Sequence, residues 1–365
     1  MRHLFASISI ICFASQPVLA QVRSLLEVVA EMEIAPGNIT VTPDGAIVTS
    51  LHQLFDPAQA VVEVRESGEL LPFPDRAWND RTSGESAMLD TVLGIQADPQ
   101  GRVWMLDNGM RGQLTPKLVA WDTRGDRLDR VIYLPPPVTV DGSFVNDLAV
   151  DLTHNYIYIA DPAPGDRAAL IVVDLSTGVS RRVLQGDRSV VAEDVQLAID
   201  GVPLTQTRPD GTVVSPRVGV NPIALDGADE WLYFGPMHGT SLYRVRTSDL
   251  RDRALADAEL SARVERYSDK PICDGISIDR EGNIYITDLA ANAIGVITGD
   301  RRYQLLVTSD RLSWPDAFSF GPDGYLYAIA NQLQHAPAFN AGDDRSRSPF
   351  YIFRLKPLAP GIVGR

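Results

Sequence analysis

The sequence predicts an all-β chain, a six-bladed β-propeller whose blades each hold four antiparallel strands. A sixfold repeat predicts it. NITVTPDGAIVTS (38–50), GIQADPQGRVWMLD (94–107), NDLAVDLTHNYIYIAD (146–161), NPIALDGADEWLYFG (221–235), DGISIDREGNIYITD (274–288) and DAFSFGPDGYLYAIA (316–330) each place a short apolar strand, a turn and a second strand in sequence. Their spacing is irregular but stays near the length of one propeller blade. The second strands are rich in β-branched and aromatic residues, as at VWML, YIYIA and NIYITD, a composition that suits a pleated, buried surface. The turns carry Asp-Gly, Glu-Gly and His-Asn, which accept the positive φ of tight hairpins.

Further strands complete the units. LVAWDT (118–123) and RVIYLP (130–135) follow the second repeat, and LIVVDL (170–175) and RRVLQG (181–186) the third. SLYRVRT (241–247) serves the fourth, and AIGVITG (293–299) with YQLLVT (303–308) the fifth. The ring is expected to close by SLLEVVAEME (24–33) adding to the last blade outside FYIFRL (350–355), which hides an exposed edge. Two polar stretches, 191–218 and 331–348, interrupt the rhythm as long loops of the kind that carry function. A short helix is expected at 250–262, outside a blade.

Residues 1–20 read as a cleaved export signal: Arg2 and His3, an apolar run over 4–13, and Val18-Leu19-Ala20 before Gln21. The expected product is one propeller domain over 21–365, secreted or periplasmic, with no segment long enough to span a membrane. Of the two cysteines, Cys12 leaves with the signal, so Cys273 has no disulfide partner and the core alone must hold the fold. The formal charge of −14 opposes binding to nucleic acid. No zinc-spaced Cys/His cluster, phosphate loop, HExxH or Gly-x-Ser-x-Gly elbow is present. Zincin, nucleotide-binding and α/β-hydrolase readings therefore have no support.

Several stretches go beyond generic propeller character. GIQADPQGRVWMLDNG, PKLVAWDTRGDRLDRVIYLP, NDLAVD, ALIVVDLSTGVSRRVL and WLYFGPMHGTSLYRV resemble the yellow/major royal jelly protein family, in order over about 37–355. The resemblance implies a secreted six-bladed propeller with a ligand cavity at one mouth of the channel, and an association with pigment or catechol chemistry and small aromatic amines. Lacking the disulfide cysteines of insect members, the chain resembles a bacterial relative. A more distant resemblance is to SMP-30/gluconolactonase propellers, which hold a divalent metal through a Glu, two Asn and an Asp. Phe144-Val145-Asn146-Asp147, Val220-Asn221-Pro222 and Ile272-Cys273-Asp274-Gly275 are similar to three of those motifs, and Asn38 stands where the Glu belongs.

In a propeller the inner strands line the channel, so Asn38, Asn146, Asn221, Asp274 and Asp316 are expected to converge there. Asp147 is a further ligand-binding candidate beside Asn146; strict alternation points it into the blade instead, and a register slip of one residue exchanges the two. This oxygen-rich set suits an ammonium ligand paired with Asp274 or Asp316 beside the faces of Phe144 or Trp314. It equally suits Ca²⁺ or another divalent cation on Asn146, Asn221 and Asp274. The blander alternative has Asn and Asp capping strand starts. Asp274 is the candidate general base. His238 is either a proton shuttle or a packing residue, Cys273 an inert buried thiol, and the Asn38-Ile39-Thr40 sequon a structural strand segment. Three functions stay open: a small-molecule binder with isomerase or tautomerase chemistry, a metal-dependent lactonase, and a protein-binding scaffold.

Overall fold

A carboxylate at the end of the inner strand ties each of several turns to the strand that follows. Asp98 Oδ1 accepts the N–H groups of Gln100 and Arg102 while its Oδ2 accepts Trp104 Nε1–H at 2.9 Å. Asp279 repeats the pattern with Glu281, Asn283 and the Tyr285 hydroxyl at 2.9 Å, and Asp151 does so with His154 and Tyr158. The recurrent Asp before each turn and the aromatic after it are thus one device: the side chain closes the turn and satisfies the buried polar tip of the aromatic.

The computed structural model describes residues 26–80, 82, 88–110, 113–208 and 210–365. The expected export signal and Cys12 lie outside them. The described residues form six four-stranded antiparallel sheets. Blade 1 comprises Pro36–Val41, Ile47–Leu51, Val61–Val64 and Leu70–Pro72. Blade 2 comprises Val92–Ala97, Arg102–Asp107, Lys117–Asp122 and Arg127–Tyr133. Blade 3 comprises Asp147–Asp151, Tyr156–Asp161, Ala169–Asp174 and Ser180–Val183. Blade 4 comprises Val220–Leu225, Trp231–Pro236, Ser241–Arg246 and Glu265–Asp269. Blade 5 comprises Ile276–Ile278, Ile284–Asp288, Ala293–Ile297 and Tyr303–Thr308. Blade 6 runs Pro315–Phe320, Leu326–Ala330, Phe350–Leu355 and, as its outer strand, Leu26–Met32. Leu26 pairs with Leu355 and Met32 with Phe350, which closes the ring as expected.

The core lies between blades. Leu118, Ile132, Leu148, Ile157 and Ile171 pack blade 2 on blade 3, and Tyr158, Leu170, Ile223, Phe234 and Val245 pack blade 3 on blade 4. Inner strands approach closely at two glycines. Gly94 N–H donates to Asn146 O at 2.7 Å, and a Cβ there would stand 2.5 Å from that oxygen. A Cβ on Gly275 would collide with Asp316 O.

The loop regions are more structured than expected. Residues 191–218 hold two short ribbons, Ala198–Ile199 with Val202–Pro203 and Gln206–Thr207 with Val213–Val214. The expected 250–262 helix is two helices, α1 (Thr247–Arg251) and α2 (Asp257–Ala262), broken where Arg181 reaches the Leu250 and Asp252 carbonyls. Gly364 and Arg365 cross the turn-side end of the channel. Gly364 O accepts the Thr40 hydroxyl, and the Arg365 guanidinium reaches Val150 O, Asp226 O and Asp229 Oδ1.

Candidate functional site

At the opposite end of the channel lies a cavity of about 250 Å³. Asn38, Phe144, Asn146, Asp147, Asn221, Asp274, Trp314 and Asp316 all line it. The structure thus brings together every candidate site residue, and Asp147 faces the cavity alongside Asn146. The reason is a bulge: Asn146 N–H donates to Ala160 O at 3.0 Å, and Asp147 is also the register partner of Ala160. Two residues opposing one break the alternation, so neighbours in sequence reach the same space. Similar irregularities open the inner strands of blades 1, 2, 4 and 6.

The floor is a chain of polar side chains from successive blades. Asn146 Nδ2 donates to Asn221 Oδ1, and Asn221 Nδ2 donates to Asp274 Oδ1. Trp314 Nε1–H donates to Asp274 Oδ2 at 2.7 Å. The Thr287 hydroxyl oxygen receives the Asp274 and Gly275 N–H groups, each at 3.0 Å. Asp316 Oδ2 accepts Asn331 Nδ2–H at 2.5 Å. Asp147 Oδ1 accepts Leu148 N–H at 2.9 Å and Asn38 Nδ2–H at 3.3 Å. Trp314 holds φ at 54°, a left-handed conformation rare for so large a residue, with its indole fixed between Asp274 and the stacked ring of Phe339.

Three carboxyl groups therefore share the floor, Asp274 buried and Asp147 and Asp316 half-buried, and among the described residues no lysine or arginine lines the cavity. Burial pushes Asp274 up to about 6, against the opposing pull of its Trp314 and Asn221 hydrogen bonds. It pushes Asp147 up to about 7, with the Asp274 charge adding to the effect. Asp316 is raised well above the usual carboxylate range by burial and then by Asp274 and Asp147. Near neutral pH such a floor carries protons that an incoming cation would displace.

The two histidines of the cavity wall, His238 and His52, are neutral. His238 is buried, its Nδ1 accepts Val218 N–H at 3.2 Å, and burial, aided by Arg217 and Lys270, lowers it to about 4. His52, whose Nδ1 accepts Leu54 N–H at 3.2 Å, is likewise lowered to about 4 by burial. His238 is thus a wall residue held by the backbone rather than a charged shuttle. Cys273 is fully buried and free, as expected. The Asn38 sequon is on a buried inner strand, with Asn38 Oδ1 taken by Ile39 N–H at 2.7 Å.

The rim was not read from the sequence. His52, Leu54 and Met110 come from loops after second strands, Leu204, Pro216 and Val218 from the first insertion, and Leu333 and Phe339 from the second. Leu197, Ile199, Leu204, Met237, Trp314, Leu333 and Ala336 form one apolar cluster, so the two insertions meet over the mouth. Their apolar residues amid polar sequence were the available signal.

The donor set fits a divalent metal only in part. Asn146, Asn221 and Asp274 supply oxygens of the kind a hard cation takes. Asn38, in the place of the expected fourth ligand, has committed its carbonyl oxygen to the backbone. Among the described residues no group of three or more His, Cys, Asp or Glu could hold a metal ion. No helix among them is long and apolar enough to cross a membrane.

The model of the family described as "Major royal jelly protein" matches residues 90–354. The chain belongs to this family. Protein yellow of Drosophila melanogaster is 29% identical over 213 residues, 52% of this chain and 36% of that protein. Major royal jelly protein 1 of Apis mellifera is 26% identical over 234 residues, 59% of this chain and 51% of that protein. The matched region thus spans about half or less of these relatives. Among solved structures, a luciferin-regenerating enzyme aligns with a TM-score of 0.57 at 13% identity, covering 93% of this chain and 98% of that one. A gluconolactonase from Xanthomonas campestris aligns at 0.54 and 14% identity, covering 91% and 88%. Regucalcin from Agrobacterium tumefaciens, a calcium-binding protein, aligns at 0.52 and 15% identity, covering 93% and 97%. At such identities the likeness is one of fold.

Proposed function

We propose that this royal jelly family propeller binds a small aromatic ammonium ion in the channel-mouth cavity. One observation carries the reading: three carboxyl groups, the buried Asp274 and the half-buried Asp147 and Asp316, face a cavity with no lysine or arginine among the described residues of its wall. An ammonium group would offset their charge, and the faces of Trp314, Phe339 and Phe144 would take the ring. A cavity of about 250 Å³ is of the size for a single small ligand. Isomerase or tautomerase chemistry fits the same floor, because a carboxyl held near about 7 both gives and takes protons at neutral pH. In this reading Asp147 shares the acid–base role with Asp274. Export is part of the proposal, and the amino terminus of the protein recovered outside the cytoplasm is expected at Gln21.

The test is titration calorimetry of the full chain with phenethylammonium and, as its uncharged counterpart, 2-phenylethanol. Only the ammonium is expected to bind, with proton release seen as a buffer-dependent heat, and Asp274→Asn is expected to abolish binding. Equal affinity for the alcohol would overturn the reading. A second reading rests on the Asn146–Asn221–Asp274 chain, which could hold Ca²⁺ as a lactonase-like site. Stoichiometric calcium in the purified protein, lost in Asp274→Ala, would favour it.

A further inference from the structure

The turn-side end of the channel opens into a second cavity, of about 230 Å³. Gln96 and Asp98 of blade 2, Thr153 of blade 3, Asp229 of blade 4 and Arg280 of blade 5 line it, with Arg365 crossing between them. Its acids are already committed. Asp98 Oδ2 accepts Arg102 Nε–H at 2.7 Å and Trp104 Nε1–H at 2.9 Å, and its Oδ1 accepts the N–H groups of Gln100 and Arg102. Asp229 Oδ2 accepts the Thr153 hydroxyl and its Oδ1 the Arg365 guanidinium, each at 2.6 Å.

The donors are left open. Gln96 is 6% exposed; its Oε1 accepts Val150 N–H at 3.0 Å, and its Nε2 has no partner among the described residues. Arg365 donates to Val150 O, Asp226 O and Asp229 through its two terminal nitrogens, which leaves Nε–H without a partner there. Arg280 is exposed; its backbone N–H donates to Pro360 O, and its guanidinium has no partner among the described residues.

A cavity whose carboxylates are engaged and whose remaining polar groups are donors calls for an acceptor. Two guanidinium groups make an anionic acceptor the favoured one, and guanidinium and amide N–H groups match the paired oxygens of a carboxylate. The rest of the wall is apolar, with Pro99, Leu152 and Ile362 offering a surface for a carbon skeleton. An apolar lining with a few polar groups that fix orientation is the usual make-up of a small-molecule site. The two ends of the channel thus differ in sign, because the upper cavity presents carboxyl groups and the lower one holds two arginines.

We propose that the turn-side cavity binds a small organic carboxylate, its oxygens held by Arg280, Arg365 Nε–H and Gln96 Nε2–H and its carbon body set against Leu152 and Ile362. This inference stands on the turn-side cavity alone and does not require that the upper cavity bind an amine.

Titration calorimetry of the full chain with 4-bromobenzoate, its amide 4-bromobenzamide and inorganic phosphate tests it. Only the organic carboxylate is expected to bind. Arg280→Gln, a change at an exposed side chain, is expected to weaken binding about tenfold, as for the loss of one charge-assisted hydrogen bond. Gln96→Glu keeps an oxygen for Val150 N–H but replaces the open donor with an acceptor, and should abolish binding. A crystal soaked in 4-bromobenzoate should show the anomalous signal of bromine inside the turn-side cavity. No binding heat, an equal affinity for the amide or for phosphate, bromine only elsewhere, or an unchanged affinity in Arg280→Gln would each overturn the proposal.

Discussion

Replacing Asp274 with asparagine should make the ligand-free protein more stable, although Asp274 lies at the centre of the site. Its carboxyl is raised from an ordinary 3.8 to about 6, chiefly by burial. At about 1.4 kcal/mol per pH unit, the ionised group costs the folded state about 3 kcal/mol. The sign follows from the direction: an acid raised on folding costs nothing below its unfolded value. The cost grows as pH rises from 3.8 to about 6 and is complete above that. The hydrogen bonds survive the substitution. The introduced amide would keep its oxygen toward Trp314 Nε1 and turn its N–H toward Asn221. The chain that runs from Asn146 through Asn221 to position 274 then reverses: position 274 donates to Asn221 Oδ1, Asn221 Nδ2 donates to Asn146 Oδ1, and Asn146 Nδ2, on a half-buried residue, turns toward the open cavity. Denaturant unfolding at pH 8, 6.5, 5 and 4, after dialysis against chelator, measures the effect. A gain of about 3 kcal/mol at pH 8 is expected, shrinking toward zero at pH 4. A loss of stability at pH 8, or a gain independent of pH, would refute the electrostatic account of the floor.

Three other substitutions probe neighbouring parts of the argument. Trp314→Phe keeps a ring over the cavity but removes the Nε1–H donor, so Asp274 should titrate above its present value of about 6 by carboxyl NMR. Lys117→Met breaks a fully buried ion pair of 2.8 Å, leaving Asp107 charged in the blade 2 interior. It should cost about 3–5 kcal/mol in urea unfolding, partly recovered in the double variant with Asp107→Asn. Gly275→Ala drives a methyl into Asp316 O, where the inner strands of blades 5 and 6 meet. A clear fall in Tm is expected, about 2 kcal/mol or more in stability, and an unchanged Tm would show that the strands can separate.

Much of this molecule is legible along the chain. Tyr158, Trp104 and Tyr285 recur seven, six and six residues after Asp151, Asp98 and Asp279 because each pair closes a turn locally. That local closure let the repeat predict the blades, and the outer Leu26–Met32 strand follows from the need to cover an edge. The inner ring of Asn38, Asn146, Asn221, Asp274 and Asp316 was equally legible, since each sits at the head of a repeat. Asp147 was legible as a candidate beside Asn146, but alternation alone left open whether it faced the channel; its approach to Ala160 alongside Asn146 lets both line the cavity. The single helix expected over 250–262 failed for a comparable reason: the Arg181 guanidinium competes for carbonyls at Leu250 and Asp252.

What the sequence determined by itself was the architecture and the family, because both rest on contacts between residues near one another in the chain. Only the tertiary structure decided what surrounds the acids. The closing rim of Leu204, Leu333 and Phe339, the chain from Asn146 to Asp274 and the turn-side cavity around Asp98 and Asp229 join residues from different blades. The chemistry of a buried carboxyl depends on which charges, donors and water reach it through space, and linear order does not carry that information.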